Sequence, residues 1–249
     1  MEEALCGRYK YYINSYFTDC KKQASLSALF LLLQESAWKH AEEHNFGWTA
    51  LSENNYSWAL SRIKVCINSY PLLHDSVFLE TWSKEPDALM AYRDFEMFST
   101  DNTKILSATS AWLILNTENR KLQRISSMKH NFPISINRHA MQTTLGKLPQ
   151  HSSPADPQNY PVNTIPYSAI DINGHVNNTL YLQWIIDSFP PNYIMTHDVY
   201  EAEINYLQES VLGQQYYVVI EEIAQNEYLC SVVRFHDNKA LSRMILKFR

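Results

Sequence analysis

The chain predicts an α+β fold in which one unit, a helix followed by antiparallel strands that wrap it, is used twice, with the two sheets joined into one. Three observations carry this. An apolar segment at helical spacing is followed by four segments that alternate with period two. The same element order returns after a polar, proline-containing interval. Two such units also remove exposed edge strands by joining their sheets. The repeat is one of element order, with little identity between the halves.

The first helix is read over 25–45. Ser25 or Ser27 caps its start and Gly47 follows its end. Leu26, Leu29, Phe30, Leu33, Ala37 and Ala41 mark one face, and Leu31, Leu32 and Trp38 widen the apolar arc, which predicts a helix largely wrapped by its surroundings. Strands are expected over 57–68, 76–85, 91–99 and 104–116, bounded by Ser69-Tyr70-Pro71, Glu85-Pro86-Asp87 and Thr100-Asp101-Asn102. Residues 147–159 carry three prolines and no periodicity, and read as a linker. The expected organisation is a first unit over 1–140, a connecting segment over 141–159 and a second unit over 160–249. The second begins with an extended segment over 160–167. A helix follows over 178–188, with Leu180, Tyr181, Trp184 and Ile185 on one side, ended by Pro190-Pro191. Strands are then expected over 200–207, 214–222, 227–236 and 239–248.

Composition removes several function classes. With 249 residues, 45% of them apolar, the chain can bury a sizeable core. Its five glycines, Gly7, Gly47, Gly146, Gly174 and Gly213, stand alone, so neither a G-x-G-x-x-G fingerprint nor a P-loop exists. A net charge of −5 argues against a nucleic-acid partner. Cys6, Cys20, Cys66 and Cys230 form no C-x-x-C pair and none stands beside a histidine at zinc spacing. They read as reduced thiols of a cytoplasmic protein, and neither a metal nor a cofactor is expected. The N-terminus lacks a signal-peptide pattern, and the longest apolar run, Ala28 to Leu33, is far short of the ~20 residues of a membrane span.

The most informative segment is Ala169 to Trp184, AIDINGHVNNTLYLQW. Asp171, Asn173 and His175 alternate with Ile172 and Gly174. In an extended approach, three polar groups at period two point the same way. Gly174 relaxes the backbone before the helix. Asn177 or Asn178 can cap the helix, whose first turn offers free N–H groups and a positive dipole end. Amides at Val176, Asn177 and Asn178 are therefore candidates to stabilise the oxyanion that develops on a thioester carbonyl. An imidazole at His175 can move a proton near neutral pH, oriented by Asp171 or Asn173. Each residue singly has an ordinary structural reading, because Asx residues commonly precede helices. The cluster points to chemistry.

DINGHVNNTLYLQW (171–184) resembles the signature of the acyl-acyl carrier protein thioesterases, the family that includes the plant enzymes terminating fatty acid synthesis. In the first half, YSWALSRIKVCINSYPLLHDSVFLETW (56–82) resembles the family's W-x-L-S-R strand and its Y-P-x-x-x-D…T-W continuation. AYRDFEMF (91–98) is similar to its R-D-F strand, and ILSATSAWLILNTENRKLQRI (105–125) to its A-x-S-x-W strand and following basic turn. The resemblance spans about Tyr11 to Phe248. It implies a double hotdog, two helices each wrapped by an antiparallel sheet.

It also implies site residues. The family's D-x-N-x-H falls on Asp171, Asn173 and His175 without gaps. Its further catalytic Glu, on the strand after the second helix, falls on Glu209 when Asn205-Tyr-Leu-Gln-Glu-Ser210 is matched to E-Y-R-R-E-C by the tyrosines. Another register puts Asn205 there. The family's neighbouring cysteine becomes Ser210, so a Cys–His nucleophile cannot be built at that position, and water is the expected nucleophile. In this reading Glu209 and His175 position and deprotonate water, Asn173 binds the carbonyl or the water, and Asp171 holds the network and shares the acid–base work.

The family's first hotdog supplies the acyl slot, which directs attention to Trp58, Ile63, Trp82, Met90, Phe95, Met97 and Trp112, most of which are equally readable as core. The implied partner is an acyl carrier protein, acidic in general, and Lys21, Lys22, Arg120, Lys121, Arg124 and Lys129 are candidates for its docking. Monomer and homodimer are both open. The alternatives are a hotdog thioesterase acting on acyl-coenzyme A, a dehydratase on the same fold, and a non-catalytic acyl-carrier-binding or scaffolding protein.

Overall fold

A computed structural model describes residues 5–125, 138–153 and 155–249. The chain divides into two compact units, Met1–Leu145 and Gly146–Arg249.

The first unit runs β1 (Gly7–Tyr12), α1 (Leu26–Glu43), α2 (Trp48–Ser52), β2 (Tyr56–Ile67), β3 (Ser76–Lys84), β4 (Met90–Ser99), β5 (Lys104–Asn116) and β6 (Leu122–Gln123). Its antiparallel sheet has the order β1-β3-β4-β5-β2, with β6 pairing to β5. Ser25 caps α1, its hydroxyl accepting from the Ala28 amide at 3.2 Å. All six residues of the expected stripe are buried, and so is Leu32. Leu31 and Trp38, by contrast, are each 40% exposed, and Trp38 stacks on Trp48 of α2. The helix is thus covered on one side rather than wrapped all round. It is Asn45, at φ +59°, that reverses the chain after α1, while Gly47 starts α2.

The second unit contains β7 (Asn163–Thr164), α3 (Asn178–Asp187), α4 (Pro191–Thr196), β8 (Val199–Tyr206), β9 (Gln215–Ala224), β10 (Glu227–Arg234) and β11 (Ala240–Phe248), with sheet order β8-β11-β10-β9-β7. α3 packs on one sheet face through aromatic contacts: Trp184 stacks on Tyr216 at 4.1 Å, and Tyr181 meets Tyr206 edge-on. α3 ends before the two prolines, which instead open α4, because proline suits a first helical turn. Of the extended segment expected over 160–167, two residues form a strand and 3-10 turns flank it.

The four short elements β1, α2, β6 and α4 were outside the sequence reading. α2, β6 and α4 are too short to carry a period of their own, and β1, whose burial alternates over six residues, has too few apolar residues to show it in the sequence.

The segment read as a linker over 141–159 and the residues beside it lie against the sheets of their own units, on the faces away from the helices. In the first unit, Trp82 Nε1 donates to the Arg138 carbonyl at 3.0 Å, and the Arg138 guanidinium covers the Trp82 ring while pairing with Glu80 and Glu96. The Ala140 amide donates to Asp94 at 2.8 Å, and Arg62 donates to the Leu145 carbonyl at 2.6 Å. In the second unit the Leu148 amide donates to Asn205 Oδ1 at 2.9 Å and Arg243 donates to the Leu148 carbonyl at 3.3 Å. His151 bridges Glu221 and Ser231, 2.9 Å to each, and Tyr160 stacks on Tyr217. A strap held through its backbone and a few separate polar or aromatic side chains needs no apolar periodicity.

Candidate functional site

The segment before α3 is a closed turn rather than the extended approach expected from its alternation. The Asp171 amide donates to the His175 carbonyl at 2.8 Å, and Ile170 pairs with Val176 across the base. Asp171 Oδ1 accepts from the amides of Asn173 at 2.8 Å and His175 at 3.4 Å, an Asx turn. Gly174 adopts φ +78°, which a side chain would resist. The three polar residues therefore do not share a face. Asp171 braces the turn from within. Asn173 is exposed, and its side chain makes no hydrogen bond among the described residues. Ile172 is 71% exposed at the tip, where an extended strand would have turned it opposite its polar neighbours.

His175 emerges from this turn beside α3. Its Nε2 lies 3.4 Å from Glu209 Oε2, with side chains 26% and 43% exposed. This contact is longer than an optimal hydrogen bond. Glu209 stands in the loop 207–214 that follows β8, three residues beyond the strand on which the resemblance placed it. Asn205, the other register, is in β8, buried, and its side chain holds the Leu148 amide. The carboxylate facing His175 is Glu209. Asp171, the suggested orienting group for the imidazole, spends its Oδ1 on main-chain amides instead.

The oxyanion expectation is corrected in two of its three positions. The Val176 amide donates to the Ser210 carbonyl of the 207–214 loop and the Asn177 amide to the Ala169 carbonyl at the base of the turn, both at 3.0 Å. Asn177 is the cap, its Oδ1 accepting from the Thr179 amide at 3.0 Å. The Asn178 amide, first in the helix, has no acceptor among the described residues, and it remains at the positive end of α3.

Tyr181 and Ser210 also belong to this neighbourhood. Their hydroxyls are 2.6 Å apart and buried. Burial, first, pushes the Tyr181 phenol up to about 12, with the Glu209 and Asp171 carboxylates adding to the shift and hydrogen bonding to Ser210 opposing it. It stays a neutral hydroxyl at physiological pH. In sequence Tyr181 reads as part of an apolar stripe. A tyrosine among aliphatic neighbours, one turn beyond a polar cluster, was the available signal.

The residues expected to line an acyl slot fall on two faces of the first sheet. Arg93 bonds to His40 of α1, which identifies the helix side of β4. Phe95 shares that side by alternation. Cross-strand registry adds Ile63 and Trp112, and the Trp58 indole donates to Phe46 O just after α1. Trp82, in register with Asp94, and Met90, which alternates with Tyr92 and Asp94 along β4, point to the opposite face, and Trp82 is sealed beneath Arg138. They cannot line a slot between α1 and the sheet. Met97 is on the helix side and fully buried. Of the basic residues, Lys22, Arg120, Lys121 and Arg124 are exposed, Lys21 is half-buried, and Lys129 lies outside the described residues. Among the described residues, no group of three or more His, Cys, Asp or Glu side chains is placed to hold a metal ion, and no helix is long and apolar enough to cross a membrane.

Comparison with known proteins gives a consistent picture over both units. The N-terminal domain model of the acyl-ACP thioesterases matches residues 6–129, and their C-terminal domain model matches residues 155–245. Oleoyl-acyl carrier protein thioesterase 1, chloroplastic, of Arabidopsis thaliana is 27% identical over 229 residues, covering 84% of this chain and 61% of that protein. Dodecanoyl-[acyl-carrier-protein] hydrolase, chloroplastic, of Cinnamomum camphora is 27% identical over 218 residues, 84% and 57% of the two chains. The chain thus spans about three fifths of the length of the curated relatives it matches. Among solved structures, an acyl-ACP thioesterase from Bacteroides thetaiotaomicron superposes with a TM-score of 0.83 at 27% identity, covering 100% of both chains. The 12:0-ACP thioesterase of Umbellularia californica shares the fold, with a TM-score of 0.82 at 22% identity over 98% of this chain and 97% of the other.

Proposed function

The chain belongs to the acyl-ACP thioesterase family, with the double hotdog fold of that family, and from this premise we propose that it hydrolyses the thioester of a fatty acyl-acyl carrier protein, releasing free fatty acid and ending chain elongation. The observation that supports this reading is the approach of Glu209 to His175 at 3.4 Å beside the start of α3.

The chemistry follows from the groups there. Glu209 and His175 hold a water and take its proton as its oxygen attacks the thioester carbonyl. Negative charge gathers on the carbonyl oxygen, where the Asn178 amide and the Asn173 side chain supply donors. When the tetrahedral intermediate collapses, the C–S bond breaks and the imidazolium returns the proton to the leaving thiolate. The products are a fatty acid and the carrier's free thiol, so one water is consumed and no redox change occurs. Asp171 contributes by holding the turn that aims His175. The acyl chain belongs in the first unit, on the α1 side of the sheet, where Trp58 and Trp112 are half-buried and Ile63 and Phe95 form the floor.

Free-thiol release from acyl carrier protein loaded with acyl chains of graded length tests the proposal. His175→Ala and Glu209→Ala should each lower turnover about 100-fold or more. Near-wild-type turnover in either folded variant overturns the role given to that residue. The same acyl group presented on coenzyme A decides the rival: equal kcat/KM on both carriers removes carrier-protein specificity. Carrier binding without thiol release points to a non-catalytic acyl-carrier-binding protein.

A further inference from the structure

We propose that the Tyr181 hydroxyl, through its bond to Ser210, is a positioning group that holds the Glu209 carboxylate against His175. The inference rests on the reading of Glu209 and His175 as the hydrolytic pair, and adds what sets their separation.

Glu209 is not carried by a strand. It sits in the loop 207–214, and its side chain is nearly half exposed. The near end of that loop is pinned by the Leu207 and Gln208 amides, which both donate to the Leu241 carbonyl. The far end is pinned through residue 165: the Gly213 amide donates to the Ile165 carbonyl, and the Ile165 amide donates to the Gln214 carbonyl. Between these ends, Ser210 ties the loop to the turn and helix that carry His175. Its carbonyl accepts from the Val176 amide at 3.0 Å, and its hydroxyl meets the Tyr181 hydroxyl at 2.6 Å. Residues 175 and 176 are thus lashed to 209 and 210 in step, the main chain at 176 and 210 and the side chains at 175 and 209.

The serine itself is not placed to react with substrate. It is fully buried and its hydroxyl is committed to Tyr181. Tyr181 is fixed in turn by edge-on contacts with Trp184 and Tyr206, so it is a rigid post rather than a flexible contact. A rigid post matters because misplacing a catalytic group by about 1 Å can cost roughly 100-fold in rate. The phenol remains neutral near these carboxylates, so the bond is present at the pH where hydrolysis runs.

The test is a set of variants assayed for thiol release, with hydrogen–deuterium exchange over 207–214. Tyr181→Phe removes one oxygen and should lower kcat by about 10- to 100-fold while KM changes less than about threefold. Ser210→Ala should do the same, and the double variant should be no worse than the poorer single, because both remove one bond. Ser210→Cys keeps a side chain that can still meet the phenol and should restore most of kcat. Exchange over 207–214 should rise in Tyr181→Phe and Ser210→Ala. On a Glu209→Ala background, Tyr181→Phe should have no further effect. Wild-type kcat in both Tyr181→Phe and Ser210→Ala, or an equal loss from Tyr181→Phe with and without Glu209, overturns the proposal. Near-wild-type turnover in Glu209→Ala alone instead overturns the hydrolytic role of Glu209, a separate failure.

Discussion

The two units set a histidine against an ionisable partner in opposite ways. In the first, His40 on α1 is fully buried. Arg93 can only donate, so His40 Nδ1 accepts from it at 3.1 Å, and Nε2 carries the proton given to the Leu5 carbonyl at 3.2 Å. Arg93 also donates to Thr81 and Ser83. Burial, then the neighbouring Arg93, pushes His40 down to about 3, and burial alone pushes Arg93 down to about 10. Both ring nitrogens are used and solvent is excluded. In the second unit His175 stands in a turn, partly exposed, with Glu209 near and its Nδ1 without a hydrogen bond among the described residues. A satisfied, sealed histidine stabilises a fold, whereas an open one beside a carboxylate is available for proton transfer.

Exchanging the two losses gives the largest effects. His175→Ala should cut thiol release at least about 100-fold and leave Tm within a degree or two. His40→Ala leaves Arg93 short of a partner in the core and should cost about 3 kcal/mol in chemical denaturation, with turnover per folded molecule changing less than tenfold. Comparable turnover losses in the two variants would break the contrast.

Acid comes next. The folded-state value of His40 lies below that of an unfolded chain, so the unfolded state binds the extra proton between about pH 6.5 and 3. Stability should therefore be full above about 6.5 and fall as pH drops toward 3, by at most about 1.4 kcal/mol per pH unit from this group. His40→Gln should flatten the dependence of denaturation free energy on pH. An unchanged slope would assign the acid sensitivity to other groups.

The caps give a smaller effect. Ser25→Ala and Asn177→Ala should each cost about 1 kcal/mol. Only the second should also lower kcat, a few-fold, because Asn177 caps the helix whose first residues adjoin His175. Equal kcat in both variants would detach the α3 terminus from the chemistry. The smallest effect expected is a few-fold fall in kcat/KM with added salt for carrier-bound substrate and none for a small thioester, if exposed Lys22, Arg120, Lys121 and Arg124 take part in docking. Equal salt sensitivity for the two substrates would remove them from that role.

Long periodic elements were legible beforehand. α1 and the eight main strands lie within two residues of their expected bounds, since burial on one side writes itself into spacing. The alternation Asp171, Asn173, His175 was legible as a cluster but misleading as geometry. A period of two describes a strand only when neighbouring strands pair along it, and here an Asx turn and Gly174 fold the segment on itself. The slot residues failed similarly for Trp82 and Met90, because bulk carries no information about which face of a sheet it occupies.

By itself, then, the sequence determined which segments could bury an apolar side, and it placed Asp171, Asn173 and His175 next to a helix start. Local spacing and turn chemistry act over a few residues, and these features need no more. That Glu209 reaches His175, that the Val176 amide goes to the Ser210 carbonyl of the loop and the Asn177 amide to the base of the turn, and that Tyr181 meets Ser210 were decided by tertiary structure. Each joins groups more than twenty residues apart or depends on a loop path, and no periodicity in the chain encodes where a loop lies in space.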